Sequence, residues 1–109
     1  VSGLPVNRFV FEGFLPRKKG RKKLIEELAQ EKRTIVLFES PHRITKTLNE
    51  LYQAMGERQA VLARELTKIH EEVIRGTLAN LANISEEKKL KGEITLIISG
   101  LPKDRNREN

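Results

Sequence analysis

The stretch that decides the fold is residues 34–43, TIVLFESPHR, in which an apolar run leads directly into a helix start. Its first five residues (34–38) suit a central strand that is covered on both faces. Ser40 then predicts a helix cap and Pro41 the first helical position, with Gly56 ending the helix. Between these signals the apolar residues recur at helical spacing: Ile44, Leu48, Leu51, Tyr52 and Met55. A buried strand that leads into a capped helix is the repeating unit of an α/β sheet.

Upstream of this unit, the sequence predicts one further strand and one further helix. The stretch from Phe9 to Leu15 is rich in aromatic and branched residues and is ended by Pro16, as expected of a strand followed by a turn. A helix is predicted from Gly20 to about Lys32, because its apolar residues fall on one face: Leu24, Ile25, Leu28 and Ala29.

Downstream, the pattern predicts three more strands and one short helix. The strands are short apolar runs over 60–63, 73–76 and 93–99. Thr77 is expected to cap a helical turn or two that bears Leu78, Leu81 and Ala82. Residues 85–92 are expected to form a charged connection. The predicted order is therefore β-α-β-α-β-β-α-β, an α/β fold with a mixed sheet of about five strands flanked by helices.

Length and composition fit one small domain with a basic charge balance. The chain has 109 residues, of which 38% are hydrophobic and 33% charged, and its net charge is +6 with a pI near 9.8. We expect one α/β domain over residues 1–102 and a polar, disordered tail over 103–109. The positive charge favours encounter with RNA, DNA or an anionic membrane surface, although many basic domains of this size bind nothing acidic.

The composition also excludes several classes of function. The chain has no cysteine, which removes disulfides, thiolate nucleophiles and zinc–thiolate sites and fits a reducing cytoplasm. His42 and His70 lie far apart without metal-ligand spacing, and no apolar run approaches the roughly 18 residues of a membrane span. Without a Gly-rich phosphate loop or a Ser/His/Asp arrangement, the residues alone favour a binding or supporting domain over a self-sufficient enzyme. Because the chain begins at Val1 without an initiator Met, we expect a piece of a longer protein.

Two polar clusters follow predicted strands and are candidates for chemistry. One runs from Glu39 to Arg43 and the other from Arg64 to Lys68. Ligands of open α/β sheets lie beyond the carboxyl ends of the strands, so parallel neighbouring strands would bring both clusters to one edge. A helix N-terminus at that edge would favour an anion. Each cluster also has a structural interpretation: an ion pair of Glu39 with Arg43, an ion pair of Arg64 with Glu65, and a surface position for His42.

A dense basic run follows the first predicted strand. The phrase FEGFLP, residues 11–16, leads into six cations within seven positions, here termed the basic arm: Arg17, Lys18, Lys19, Arg21, Lys22 and Lys23. Apolar anchoring beside such charge suits a surface that holds a polyanion such as RNA. A solvated loop and helix start is the plainer interpretation of the same run.

Five motifs in one order resemble a known family. They are SGLP (2–5), FEGFLP (11–16), ESPHR (39–43), ARELTK (63–68) and KGE (91–93), and they span about residues 1–100. The chain resembles the second half of members of the tetrapyrrole methylase superfamily, and within it the ribosomal RNA small subunit methyltransferase I family. The resemblance implies a C-terminal domain that is inactive without the N-terminal domain, which carries the Gly-rich loops for the methyl donor.

The resemblance also implies an activity and partners. Members methylate the ribose 2′-hydroxyl of a cytidine in small-subunit ribosomal RNA in the cytoplasm, act as homodimers, and hold S-adenosylmethionine between two α/β domains. Carried onto this sequence, the donor-binding residues are Phe14, Pro16, Arg64, Glu65, Gly92 and Glu93. The residues expected to contact ribosomal RNA are the basic arm with Ser40, His42 and Arg43. No catalytic base and no metal ligand is implied.

Two other functions stay open at this point. A methyltransferase of the same fold could act on a porphyrin or corrin precursor, but such a substrate needs an apolar cavity with a few placed cations, which the basic arm does not suit. A non-enzymatic module for RNA binding or dimerisation fits the missing Gly-rich loop, but it does not account for five motifs in order.

Overall fold

The computed structural model describes residues 9–67 and 69–102. Its elements are, in chain order, β1 (Phe9–Phe14), α1 (Arg21–Leu28), β2 (Thr34–Glu39), α2 (Ile44–Met55), β3 (Gln59–Thr67), β4 (His70–Thr77), α3 (Leu78–Lys88) and β5 (Ile94–Ile98). This confirms the predicted order of strands and helices and the α/β fold class. The tail predicted over 103–109 lies outside the described residues.

The five described strands form one mixed sheet in the order β1-β2-β5-β3-β4. β1 and β2 are parallel, β5 is antiparallel to both β2 and β3, and β3 and β4 form an antiparallel pair. β2 and β3 therefore point in the same direction but are not neighbours, because β5 lies between them. Their carboxyl ends share one edge of the sheet, as predicted, with the start of β5 inserted between them.

One face of the sheet is covered by the helices and holds the core. Side chains alternate between the two faces along a strand. Those on the helical side are almost fully inaccessible: Ile35, Leu37, Ala60, Leu62, Ile94, Leu96 and Ile98. They pack against the predicted apolar stripes of the helices, which include Ile44, Leu48, Leu51, Leu78 and Leu81. The helical periodicity of the sequence therefore predicted the residues that form the core.

The other face of the sheet, here termed the open face, is not covered by any described helix. It carries three phenyl rings of β1, and Phe9, Phe11 and Phe14 are 50%, 57% and 61% exposed. The rings of Phe11 and Phe14 meet Phe38 edge-on, with centroids 5.2 and 5.6 Å apart. The expectation that residues 34–38 are covered on both faces is confirmed only in part, since Thr34 on this face is 4% exposed but Val36 and Phe38 are half-buried.

Three helix boundaries differ from the prediction, the first being the end of α1, which lies at Leu28 instead of about Lys32. α2 begins at Ile44 with Arg43 at its N-cap and without a side-chain cap, so Ser40 is not the cap. The reason is a turn at residues 41–43, in which the Arg43 N–H donates to the Ser40 carbonyl at 3.1 Å. The cap at Thr77 is confirmed, but α3 continues to Lys88 instead of ending after two turns. Buried Ser85 explains the extension, because its hydroxyl donates to the Ala82 carbonyl at 2.9 Å and so continues the packed side of the helix.

Candidate binding site at the carboxyl edge of the sheet

The carboxyl ends of β1, β2 and β3 lie at one edge of the sheet, here termed the carboxyl edge, together with the start of β5. The strand order places the predicted site residues along this edge in sequence: Phe14 and Pro16, then Ser40, His42 and Arg43, then Gly92 and Glu93, then Arg64 and Glu65. The first and last of these groups are separated by three strand spacings, or about 14 Å. One cleft in this domain therefore does not hold all six predicted donor-binding residues.

A shallow cleft of about 220 Å³ lies where β3 and β5 meet the carboxyl edge. Its lining contains three of the predicted donor-binding residues, Arg64, Glu65 and Glu93. The other lining residues are Ala63, Glu71 and Thr95. Three carboxylates and one guanidinium make the cleft acidic. Pockets for drug-sized ligands usually enclose about 300–1,000 Å³, so this cleft covers only part of such a ligand.

Arg64 is held at this cleft by Glu72 and by the backbone. Its Nε donates to Glu72 Oε1 at 2.6 Å and its Nη1 donates to the Lys91 carbonyl at 3.1 Å. Lys88 Nζ donates to the other Glu72 oxygen, and the hydrogen bonds from Lys88 and Arg64 lower the pKa of Glu72. The structural ion pair suggested between Arg64 and Glu65 is therefore wrong. Arg64 and Glu72 are opposed across β3 and β4, whereas Glu65, the next residue of the strand, points to the open face and is exposed.

Gly92 shapes the entry to β5 beside the same cleft. Its φ is +82°, a left-handed conformation that glycine adopts without strain. A Cβ at this position would lie 3.0 Å from the Glu65 carbonyl oxygen. The residue is therefore needed for a close approach of two backbone segments, and this approach places Glu93 next to β3.

The basic arm divides into one buried residue and five exposed ones. Arg21 is only 6% exposed, and its Nη1 donates to the Pro16 carbonyl at 3.0 Å. Its Nη2 donates to Thr47 Oγ1 at 2.9 Å and to Glu50 Oε1 at 2.5 Å. This geometry gives no support to the phosphate contact predicted for Arg21. The other residues of the arm reach the surface: Arg17, Lys18, Lys19, Lys22 and Lys23.

The contacts of Arg21 continue to the end of β2. Thr47 Oγ1 donates to Glu39 Oε2 at 2.6 Å, and the Ser40 N–H donates to Glu39 Oε1 at 2.7 Å. Arg43 Nε lies 3.9 Å from that same Oε1, while the Nη2 of Arg43 is buried without a hydrogen-bond partner. The closed cluster, which we define as Arg21, Glu39, Thr47 and Glu50, thus ties the turn after β1 to the turn after β2.

Sequence reasoning missed Thr47 and Glu50 of this cluster. Thr47 lies between Ile44 and Leu48 on the buried stripe of α2 and is 1% exposed. A polar residue at an apolar position of a helix needs a hydrogen-bond partner when it is buried. That mismatch between residue type and position is the signal that could have identified it.

A wider groove of about 650 Å³ separates α1 from α2 on the helical side of the sheet. Lys18 and Lys22 of the basic arm line it together with apolar Ile25 and Ala29 of the same segment, and Gln53 and Ala54 of α2 form the facing wall. Two exposed cations of the arm therefore stand over a groove instead of on a flat surface.

Two further properties concern the described part of the chain, residues 9–67 and 69–102. Its helices are all too short or too polar to cross a membrane. It contains no group of three or more His, Cys, Asp or Glu side chains that could hold a metal ion.

Comparison with known proteins agrees with this fold. A family model described as Tetrapyrrole (Corrin/Porphyrin) Methylases matches residues 1–82, and the chain belongs to this family. The resemblance predicted from the five motifs is thereby confirmed.

Curated relatives identify a narrower group. The chain is 47% identical to Ribosomal RNA small subunit methyltransferase I of Thermotoga maritima, over 92% of this chain and 45% of that protein. Proteins of the same name from Synechocystis and Mycobacterium tuberculosis are 50% and 49% identical over 95% and 92% of this chain, and over 38% and 35% of their own lengths. The chain thus spans less than half the length of these relatives.

A solved structure supports the fold independently. The cobalamin biosynthetic enzyme cobalt precorrin-4 methyltransferase, CbiF, superposes with a TM-score of 0.64 over 88% of this chain and 43% of that chain. At 18% sequence identity this similarity establishes the α/β methylase fold and nothing about the substrate of this chain.

Proposed function

We propose that this chain is the C-terminal α/β domain of an S-adenosylmethionine-dependent methyltransferase that modifies small-subunit ribosomal RNA at the 2′-hydroxyl of a cytidine. The observation that carries the proposal is the 47–50% identity to relatives that bear the name of this ribosomal RNA methyltransferase. Because those relatives are more than twice as long, we propose that an N-terminal domain completes the enzyme and that this domain alone is inactive. The proposed enzyme is a homodimer and acts in the cytoplasm.

The cleft between β3 and β5 is the proposed contact with the methyl donor. S-adenosylmethionine supplies an electrophilic methyl group on a cationic sulfonium, and it also carries an ammonium and a carboxylate. Glu65 and Glu93 suit its cationic groups, Arg64 suits its carboxylate, and Gly92 keeps Glu93 beside β3. Since the cleft is too small for the whole donor, the remainder is proposed to lie against the N-terminal domain. Phe14 and Pro16, about 14 Å away, are proposed to contact the donor only once that domain is present.

The exposed part of the basic arm is the proposed contact with ribosomal RNA. Its five exposed cations leave the carboxyl edge at β1, and His42 and half-buried Ser40 and Arg43 stand beside them at β2. Cations of this kind bind phosphates and position the RNA without reading its bases. Folded RNA is recognised mainly through its shape, backbone and 2′-hydroxyl groups, which suits an arm without base-reading side chains.

The experiment that tests this function is methyl transfer by the longer protein that contains this domain. Labelled S-adenosylmethionine is offered together with small ribosomal subunits and, separately, with a tetrapyrrole precursor. Label in a cytidine ribose of the RNA is the expected result. Label in the tetrapyrrole would retain the fold and the donor but overturn the RNA substrate. Transfer to neither would overturn the enzyme proposal and favour a binding or dimerisation module.

A further inference from the structure

The groove between α1 and α2 has the size and the walls of a ligand site. Its volume of about 650 Å³ lies within the roughly 300–1,000 Å³ of pockets that hold small ligands. The groove exists because α1 and α2 pack less closely than α2 and α3 do. Buried Ile25 and Ala29 form one wall, and exposed Ala54 lies on the other. A flat group such as a nucleobase can therefore enter between two aliphatic walls.

Two cations stand at the end of the groove that opens to the carboxyl edge. They are Lys18, in the turn after β1, and Lys22, in the first turn of α1. Within the described part of the chain, neither side chain forms an ion pair or a hydrogen bond. The other charges at this end are already satisfied, since Arg21 Nη2 lies 2.5 Å from Glu50 Oε1. The two lysines are therefore available to a phosphate that arrives from the carboxyl edge.

Hydrogen-bonding side chains lie further along the same groove. Lys22, Glu26 and Gln30 follow one another at four-residue spacing, about 6 Å apart along α1 and the turn after it, and Gln53 faces them from α2. The carboxylate of Glu26, which has no partner among the described residues, accepts hydrogen bonds, whereas an amide both accepts and donates. These groups can distinguish the amino edge of cytosine from the carbonyl edge of uracil.

We propose that this groove binds one unpaired nucleotide of the ribosomal RNA, with its phosphate at Lys18 and Lys22 and its amino-bearing base beside Glu26 and Gln53. The inference rests on the RNA-binding part of the proposed function and adds a base-reading site to an arm of phosphate-binding cations. Unstacked bases of single-stranded RNA are read in this manner, through packing on side chains and hydrogen bonds to their edges. An apolar helix of a protein partner fits the groove less well, because it would cover these charges without pairing them.

Fluorescence anisotropy of the 109-residue chain with labelled hexanucleotides tests the inference. Oligocytidylate and oligouridylate of equal length carry the same charge, so a difference in affinity between them reports on the base and not on the phosphates. The wild-type chain is expected to bind oligocytidylate about tenfold more tightly. Ala54→Leu fills the groove without changing a charge and is expected to abolish this preference. Ala54→Ser keeps the groove open and is the matched control, which should retain it.

Lys22→Ala separates the phosphate contact from the base contact. This variant should bind both hexanucleotides more weakly and by a similar factor, since each loses one phosphate contact. The slope of log affinity against log salt should fall by about 0.7, as expected for one contact to a single strand. The preference for oligocytidylate should remain.

The outcomes distinguish a failure of the inference from a failure of the proposed function. Leucine is a strong helix former and Ala54 is exposed, so the Ala54→Leu chain should fold, which circular dichroism establishes. Equal affinity of the wild-type chain for the two RNAs, or a preference that survives Ala54→Leu, would overturn the inference. A changed sedimentation of Ala54→Leu with unchanged RNA binding would assign the groove to a protein partner instead. Because no methyl donor is present, a preserved preference beside absent methyl transfer by the longer protein would overturn only the proposed activity.

Discussion

The two ends of the carboxyl edge use charge in opposite ways. In the closed cluster, Arg21 is 6% exposed and every contact of its guanidinium is with an atom inside the domain. At the other end, the open cluster of Arg64, Glu72 and Lys88 keeps contact with water, since the side chains of Glu72 and Lys88 are 24% and 47% exposed. The first arrangement positions two turns, whereas the second leaves charged groups beside a cleft that a ligand can enter.

The difference has an energetic consequence. Removing one partner from a buried ion pair leaves a charge without solvent or counter-ion, which costs far more than the pair contributes. Removing one partner from an exposed pair lets water replace it, and the cost is small. Clusters of similar composition are therefore expected to respond very differently to substitution.

The largest effect is expected for Arg21→Ala. The substitution removes a buried side chain and leaves Thr47 Oγ1 and the Pro16 carbonyl without their donor, whereas Glu50, whose side chain is 35% exposed, regains water. From the lost packing and the lost hydrogen bonds, the free energy of unfolding should fall by about 3 kcal/mol. Chemical denaturation of the chain measures this loss. Lys22→Ala, at the next residue on the exposed side, should change it by no more than about 0.5 kcal/mol. Equal losses from the two variants would refute a buried role for Arg21.

Thr47→Val is expected to have the next largest effect. Valine keeps the shape of threonine but removes the hydroxyl that joins Arg21 to Glu39, so the unfolding free energy should fall by about 2 kcal/mol. The double variant with Arg21→Ala should lose less than the sum of the two single losses, because both changes disrupt one network. Additive losses would show that the two residues act separately.

A smaller and pH-dependent effect is expected for Glu72→Gln. Hydrogen bonds from Lys88 and Arg64 lower the pKa of Glu72 from its ordinary value of 4.5, so the ionised carboxylate stabilises the folded state. That contribution is fully present above pH 4.5 and is lost as the pH falls through the folded-state pKa. The variant should therefore be less stable by about 0.5–1 kcal/mol at neutral pH, with the difference shrinking in acid. A difference that grows below pH 4.5 would contradict the assignment.

The smallest effect on stability is expected for Lys18→Ala combined with Lys19→Ala, since both side chains are exposed. In the longer protein this variant should bind ribosomal RNA more weakly, and the slope of log affinity against log salt should fall by about 1–2. Lys46→Ala, an exposed cation of α2, is the matched control. An unchanged salt slope would show that Lys18 and Lys19 do not contact phosphates and that the arm is a solvated loop.

Much of the fold could be predicted from the sequence because its signals are local. Helical spacing in residues 44–55 and the cap at Thr77 depend on neighbours a few positions away, and both are confirmed. The predicted end of α3 was wrong because residues 86–89 are all charged, as is typical of a loop. In the structure these residues lie on the exposed side of α3, and the opposite side is packed, as buried Ser85 shows. For the candidate site, the sequence identified Arg64, Glu65 and Glu93, which line one cleft, but not their partners.

The sequence by itself determined the order of strands and helices and, through five motifs, the family of the protein. Only the tertiary structure decided that β5, the last described strand, lies between β2 and β3, that Arg21 is buried while its neighbours are not, and that the described helices all lie on one face of the sheet. The physical reason is that dihedral preference and periodicity are properties of a short segment. Burial and pairing depend instead on which distant segment lies opposite, and no local pattern specifies that.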